Sequence, residues 1–180
     1  MKQWLCAALW ITASATASAY DCDTSYAPST CANIKHTWND GSLDGYLPVW
    51  TWHNRAEYDR SKITQYNEQP WGFGVGKHYY DSDGDRHMLY AMGFLDSHDK
   101  FEPITGYSFE KIWRPGEEWK LGLGYTVFVT ARSDIGSYTP FPAILPLWSV
   151  QYRKLSVQQT YVPGGHNNGN ILFTWLRYEF

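Results

Sequence analysis

The sequence predicts an all-β fold, an eight-stranded antiparallel transmembrane β-barrel preceded by a short N-terminal amphipathic helix. Three observations carry the prediction. Eight runs alternate in hydropathy with the period of a strand, the connections between them alternate short and long, and the last run ends on an aromatic residue, Phe180. Side chains on a strand point to opposite faces in turn, so strict alternation makes one face apolar and leaves the other free to differ. Small membrane barrels have an even number of such strands, with short turns at the periplasm and long loops outside.

The run 119–132 shows the pattern most fully. Trp119, Leu121, Leu123, Tyr125, Val127, Val129 and Ala131 form one face; Lys120, Gly122, Gly124, Thr126, Phe128, Thr130 and Arg132 form the other. At about 3.3 Å per residue such a run crosses a membrane even when tilted. The remaining runs are expected at 46–54, 69–80, 87–95, 103–113, 143–152, 155–162 and 170–180. Residues 81–86, 115–118 and 153–154 read as short turns. Residues 55–68, 96–102, 133–142 and 163–169 read as longer loops, which puts both chain ends on the periplasmic side. In the last run Leu172, Thr174, Leu176, Tyr178 and Phe180 share the outward face. The opposite face carries Phe173 and Trp175, an apolar lining more suited to a greasy guest than to water.

Ahead of the barrel, Lys2, the apolar run Leu5–Ile11 and Ala17-Ser18-Ala19 form an export leader over residues 1–19. Residues 20–45 form an arm. Ser29 or Thr30 is placed to cap a short helix with Ile34 and Trp38 on one face, suited to the membrane interface; an unstructured arm is the alternative. Cys22 and Cys31 are either free thiols or a disulfide, and export to an oxidising compartment favours the disulfide. Residues 46–180 are assigned to the barrel.

Composition agrees. The chain of 180 residues is 18% aromatic, with 10 Trp and 14 Tyr, and such rings collect at membrane interfaces. The mean hydropathy of −0.47 does not argue against a barrel whose strands are polar at alternate positions. With 15 basic against 18 acidic residues and a net charge of −3, there is no basic footprint for nucleic acid. No Cys/His cluster has metal-ligand spacing, so neither metal nor cofactor is expected.

The topology gathers chemistry at the outer rim. His53, Asp96 and Ser97 end there, a set able to move a proton and activate a hydroxyl. Arg132 ends there too, placed to hold a phosphate or an oxyanion. His87 falls at the opposite rim and reads as structural. Pro48 and Pro70 interrupt the first two runs; Pro146 and Pro163 interrupt the sixth and the end of the seventh. Proline lacks the N–H a ladder needs. The pairs are either strand-end punctuation or the flanks of two lateral openings to the bilayer.

Taken together, several segments resemble the lipid A palmitoyltransferase PagP family. They are Thr51-Trp52-His53, the stretch Gln65 to Gly72, Leu89-Tyr90-Ala91-Met92, Asp96-Ser97, Glu102-Pro103-Ile104, Trp113-Arg114-Pro115, Leu121 to Gly124, Val129 to Arg132 and Asn167-Asn168-Gly169-Asn170. The likeness runs from about residue 33 to Phe180; residues 20–32 do not share it. It implies a monomeric outer-membrane enzyme that moves an acyl chain from a glycerophospholipid to a hydroxyl of lipid A in lipopolysaccharide. The catalytic roles carry over to His53, Asp96 and Ser97, with Asp96 expected to orient His53. The gate-flanking prolines match Pro48, Pro70, Pro146 and Pro163. Trp38 matches a helix segment linked to lipopolysaccharide. Ser108 stands where the best-studied members have glycine at the floor of the acyl pocket. The extra hydroxyl would raise that floor by one or two methylenes, and burying it unpartnered costs roughly 1–3 kcal/mol, so an acyl chain shorter than sixteen carbons is expected. Two rival readings are a non-catalytic structural or lipid-binding membrane barrel and a soluble lipocalin-like barrel. The latter conflicts with the uniformly apolar outward face of 119–131.

Overall fold

A computed structural model of the chain describes Cys22 and residues 27–180; the expected leader at 1–19 lies outside them. A helix, α1 (Pro28–Asp40), leads into eight strands: β1 (Ser42–His53), β2 (Gly72–Tyr80), β3 (Arg86–Leu95), β4 (Phe101–Trp113), β5 (Trp119–Thr130), β6 (Phe141–Tyr152), β7 (Leu155–Val162) and β8 (Ile171–Glu179). Each pairs with the next antiparallel, and β8 returns to β1, closing the barrel. Closure removes the edge strands that would otherwise expose unpaired backbone to lipid.

Boundaries differ from the alternation pattern at several ends. Strand β1 starts at Ser42, four positions ahead of 46, and β4 and β6 each start two positions early. Strand β2 starts late, at Gly72, and β5 stops at Thr130, leaving Arg132 in a loop bridge with Ile135. Helix α1 begins at Pro28, with Ala27 in the cap position and no side-chain cap, so Ser29 and Thr30 lie inside the first turn rather than before it. Proline explains the shift: its fixed φ and missing N–H suit the first helical position. A disulfide joins Cys22 to Cys31 on α1. Lys77 of β2 donates to the Trp38 carbonyl near the end of the helix (2.6 Å), the end where a cation is favoured.

Outward residues form an apolar wall with aromatic girdles. Trp113, Trp119, Tyr152, Tyr178 and Phe180 are exposed at the turn end, and Trp50, Trp71 and Phe101 toward the loop end. Among the described residues no helix is long and apolar enough to cross a membrane, so any crossing is made by the strands.

The interior divides into two halves, and the sequence of single strands shows why. Reading inward positions from turn end to loop end, β3 runs Arg86, Met88, Tyr90, Met92, Phe94, and β8 runs backwards through Arg177, Trp175, Phe173. The turn half is a polar plug. Arg86, fully buried, bonds Glu110, Gln151 and Ser149. Arg177 bonds Asp44 and Glu179, and Asp44 also holds His78. Buried charges persist only when paired and hydrogen-bonded in this way. The loop half is an apolar well of Met92, Phe94, Phe128, Leu145, Phe173 and Trp175.

Two ladders stop short toward the loop end. Pairing of β1 with β2 ends at Tyr46–Gly74, although β1 continues to His53. Pairing of β6 with β7 ends at Leu147–Thr160, although β6 extends on to Phe141. Pro48 and Pro70 flank the first gap, and Pro146 and Pro163 the second. A proline cannot supply the N–H that would carry a ladder through.

Candidate active site

The well opens at the loop end, and the rim residues are fixed by the loops that leave it. A cavity of about 110 Å³ descends from Thr51, Asp96, Ser97, Glu102 and Arg132 past Phe94, Phe128 and Phe173 to Tyr90, Thr126 and Trp175. The Tyr90 and Thr126 hydroxyls bond across its floor (2.6 Å). Its top is polar and its shaft apolar, a shape suited to a ligand with a polar head and a hydrocarbon tail.

His53 closes β1 and is almost fully buried. Its ring stacks on Tyr66 (centroids 4.7 Å, 23°) and meets the edge of Tyr58 (5.1 Å, 84°). Its Nδ1 lies 3.0 Å from Glu68 Oε1, which also accepts the His53 backbone N–H (3.1 Å). Arg55 grips Glu68 through two nitrogens (2.7 and 2.6 Å) and donates to the His53 carbonyl (3.1 Å). The ring partner is therefore Glu68, where the sequence reading gave Asp96. The loop after β1, which contains α2 (Arg60–Ile63), carries Tyr58, Tyr66 and Glu68 back over the rim. Tyr58 donates to the Gly169 carbonyl, Asp59 and Asn167 bond reciprocally, and the Asn67 N–H donates to the Ser97 carbonyl.

Asp96 and Ser97 follow β3, and both are buried and line the top of the cavity. Asp96 Oδ1 accepts the backbone N–H groups of His98 and Lys100 (2.8 and 2.9 Å), and the turn bends back through Asp99, whose φ of 58° is left-handed. Asp96 thus builds the turn that presents Ser97. It reaches His53 only through a relay of rings, Tyr66 on His53 and His98 edge-on to Tyr66 (5.1 Å).

Arg132 is more committed than a free phosphate clamp. Asp134 takes Nε and Nη2, Glu102 takes Nη1 (2.9 Å), and Asp96 Oδ2 stands 3.5 Å from Nη2. This grip holds the Asp134 carboxyl below its usual range. A phosphate at Arg132 would have to displace a carboxylate.

The other sequence-designated residues are spread out. Ser108 points inward and is fully buried, yet Tyr90 and Thr126, not Ser108, line the floor of the cavity; Ser108 pairs with the floor residue Thr126 on one side and with Met88, which lies off the lining, on the other. Trp38 is exposed on α1, over an outer-wall groove with Leu43, Val75 and Leu89. His87, at the turn end, lies within hydrogen-bonding distance of the Tyr107 hydroxyl (2.6 Å) and of Asp81 (3.0 Å).

Residues 33–177 match the family described as PagP, antimicrobial peptide resistance and lipid A acylation protein. The chain belongs to the PagP family. It is 63% identical over 147 residues to the lipid A acyltransferase PagP of Laribacter hongkongensis, covering 82% of this chain and 71% of that one. It is 54% identical to the lipid A acyltransferase PagP of Bordetella pertussis over 166 residues, 92% of this chain and 91% of that one. The Photorhabdus laumondii protein of the same name is 54% identical over 150 residues, 82% of this chain and 72% of its own length. Among solved structures, the Yersinia pestis outer membrane protein Ail aligns with a TM-score of 0.40 at 10% identity, over 78% of this chain and all of that one.

Membership of the family makes the chain a lipid A acyltransferase, and that membership together with the closed β-barrel fits an outer-membrane protein. The sequence places Tyr66 and Glu68 inside a PagP-like segment without a role for either, and singles out neither Arg55 nor Tyr58. No spacing signals them. Glu68 stands fifteen positions from His53, and only the fold-back of the loop joins the two.

Proposed function

We propose that this PagP-family barrel transfers a fatty acyl chain, palmitoyl or somewhat shorter, from a glycerophospholipid to a hydroxyl of lipid A, remodelling lipopolysaccharide from within the outer membrane. It would act as a monomer delivered by a cleaved leader. The observation that carries this reading is an apolar well whose mouth holds Asp96 and Ser97, with His53 at the end of β1 two residues beyond Thr51 of its lining, and whose wall is unladdered beside Pro48 and Pro70 and beside Pro146 and Pro163. A hydrocarbon tail gains about 0.8 kcal/mol per buried methylene, but a tail already in lipid gains little more from a dry well. The well therefore serves to position the ester rather than to attract the donor.

In the reaction a hydroxyl oxygen attacks the donor's ester carbon while His53 takes the hydroxyl proton. The tetrahedral intermediate then expels the glycerol oxygen, which leaves as lysophospholipid carrying the proton from His53. The attacking hydroxyl is that of lipid A itself, or that of Ser97 with a second, equivalent transfer to lipid A. In either route Asp96 shapes the turn that holds Ser97, the gates admit lipid from the side, and Trp38 rests in the interface that lipopolysaccharide or its neighbours occupy. Ser108 acts on chain length from beneath the floor.

The test is acyl transfer from labelled phospholipid to lipid A by the detergent-purified barrel, beside His53→Ala and Ser97→Ala. Transfer by the wild type and loss of it in both folded variants supports the reading. A folded wild type that transfers nothing leaves a lipid-binding barrel.

A further inference from the structure

The His53 ring has two nitrogens with different surroundings, and one of them is already committed. Nδ1 faces Glu68 Oε1 at 3.0 Å, and the same oxygen accepts the His53 backbone N–H. The second Glu68 oxygen is held by Arg55, whose other nitrogen also grips Oε1. The Arg55 fork and the His53 backbone N–H hold the Glu68 carboxyl well below its usual range, at about 2, so it is an anion at any working pH. A carboxylate only accepts hydrogen bonds, so Nδ1 must be the donor. Neutral His53 then carries its proton on Nδ1 and its lone pair on Nε2. Tyr66 stacked on one face and Tyr58 at the edge fix the plane of the ring.

We propose that Glu68 is a positioning residue for acyl transfer: bridged by Arg55 to the end of β1, it fixes the tautomer and orientation of His53 and stabilises the imidazolium that forms when Nε2 takes the hydroxyl proton. The proposal rests on the catalytic reading of His53 given above. It divides the labour of the acidic residues at the rim. Glu68 serves the base, and Asp96, whose Oδ1 is occupied by two backbone N–H groups, serves the turn of Ser97. The arrangement follows the general logic of a base held by a third group, in which the orienting carboxylate never takes the proton. A purely structural Glu68 would leave the double contact to ring and backbone of one histidine unexplained, since an exposed Arg–Glu pair alone contributes little to stability. The groups facing His53 are Glu68, Arg55, Tyr58, Tyr66 and His98, and Glu68 is the carboxylate among them.

The experiment is a kinetic cycle on the full-length barrel in detergent micelles, with labelled phospholipid and lipid A. It compares wild type, Glu68→Gln, His53→Ala and the double variant, each checked for folding by circular dichroism and heat-modifiable migration. Glu68→Gln is expected to lower kcat by about 10²- to 10⁴-fold, the usual contribution of a correctly presented general base, with KM for both lipids nearly unchanged. In the His53→Ala background the same substitution is expected to change the residual rate less than two-fold, because two groups acting as a unit are not additive. Arg55→Gln, on the exposed side of the pair, is expected to lower kcat by about ten-fold and likewise to have no effect without His53; it carries the test if Glu68→Gln does not fold. Wild-type kcat in a folded Glu68→Gln, or a further loss in the double variant, overturns the proposal. Full activity in His53→Ala overturns instead the catalytic reading on which it stands.

Discussion

In the proposed reaction the depth of the well sets the length of the chain transferred, and the structure gives that depth. Five positions separate Leu95, at the loop end of β3, from Tyr90, whose hydroxyl closes the floor with Thr126. At about 3.3 Å per residue and a strand tilt near 40°, that is about 13 Å of vertical depth. The turn to Ser97 adds roughly 5 Å at the same rise. An extended hydrocarbon of ~1.5 Å bonds at ~111° advances about 1.25 Å per carbon. The expected acyl chain, with its ester between the strand end and Ser97, is therefore about ten to fourteen carbons long, short of palmitate. Tyr90→Ala removes the ring and lowers the floor to the next inward layer, Met88 and Ser108. Two residues deeper is about 5 Å, or roughly four methylenes. The expected result is a product distribution moved up by about four carbons, with stability reduced by about 3–5 kcal/mol, as for a buried aromatic cut to alanine. Tyr90→Phe, which loses the Thr126 bond but keeps the ring, should leave product length in place. Ser108→Gly, beneath the floor, should move it by one or two carbons, and only as far as Tyr90 sinks over it. Mass spectrometry of lipid A acylated from mixed-chain phospholipids reads all four proteins. Palmitate dominating the wild-type product, or a folded Tyr90→Ala with wild-type chain length, would refute the reasoning.

Three further outcomes follow from the same geometry. Arg86→Met strands the buried Glu110 carboxylate, so denaturant unfolding should show a loss of about 3–5 kcal/mol, with less loss in Arg86→Met/Glu110→Gln, where neither charge remains; a double variant no more stable than the single one would contradict this. The Glu68 carboxyl, at about 2 in the folded loop against an ordinary value near 4.3, contributes stability that is fully present above the ordinary value and is lost as pH falls from there toward 2. Proteolytic protection of loop 54–71 should decline in that window, and Arg55→Ala should shift the decline to higher pH; a decline unaffected by Arg55→Ala would count against the linkage. Cysteines at Leu47 and Phe73, which face each other across the first gap if the β1–β2 register is continued, should cut acyl transfer at least ten-fold on oxidation and release it on reduction; a cross-linked barrel at full activity would exclude lipid passage there.

Much of this protein was legible along the chain because strand periodicity is local. Alternation at 119–131 gave the outward wall, Phe173 and Trp175 on the opposite parity of the last run gave an apolar interior, and Pro48, Pro70, Pro146 and Pro163 marked where ladders end. Those properties depend on each residue's own parity or its own missing N–H, so neighbours in sequence suffice to read them. The ends of elements were read less well. Ser29 and Thr30 are good caps, but Pro28 with its fixed φ took the first helical position instead. The site divided along the same line. His53, Asp96 and Ser97 could be placed at one rim by counting strands, which fixes height but not the partner of a ring nitrogen. Glu68 reaches His53, three carboxylates surround Arg132, and Tyr90 covers Ser108 only because loops fold back and a closed barrel brings distant strands within hydrogen-bond reach. Height and facing direction follow from the backbone period that the sequence by itself determines; which side chains meet depends on closure, register and loop path, and those the tertiary structure alone decides.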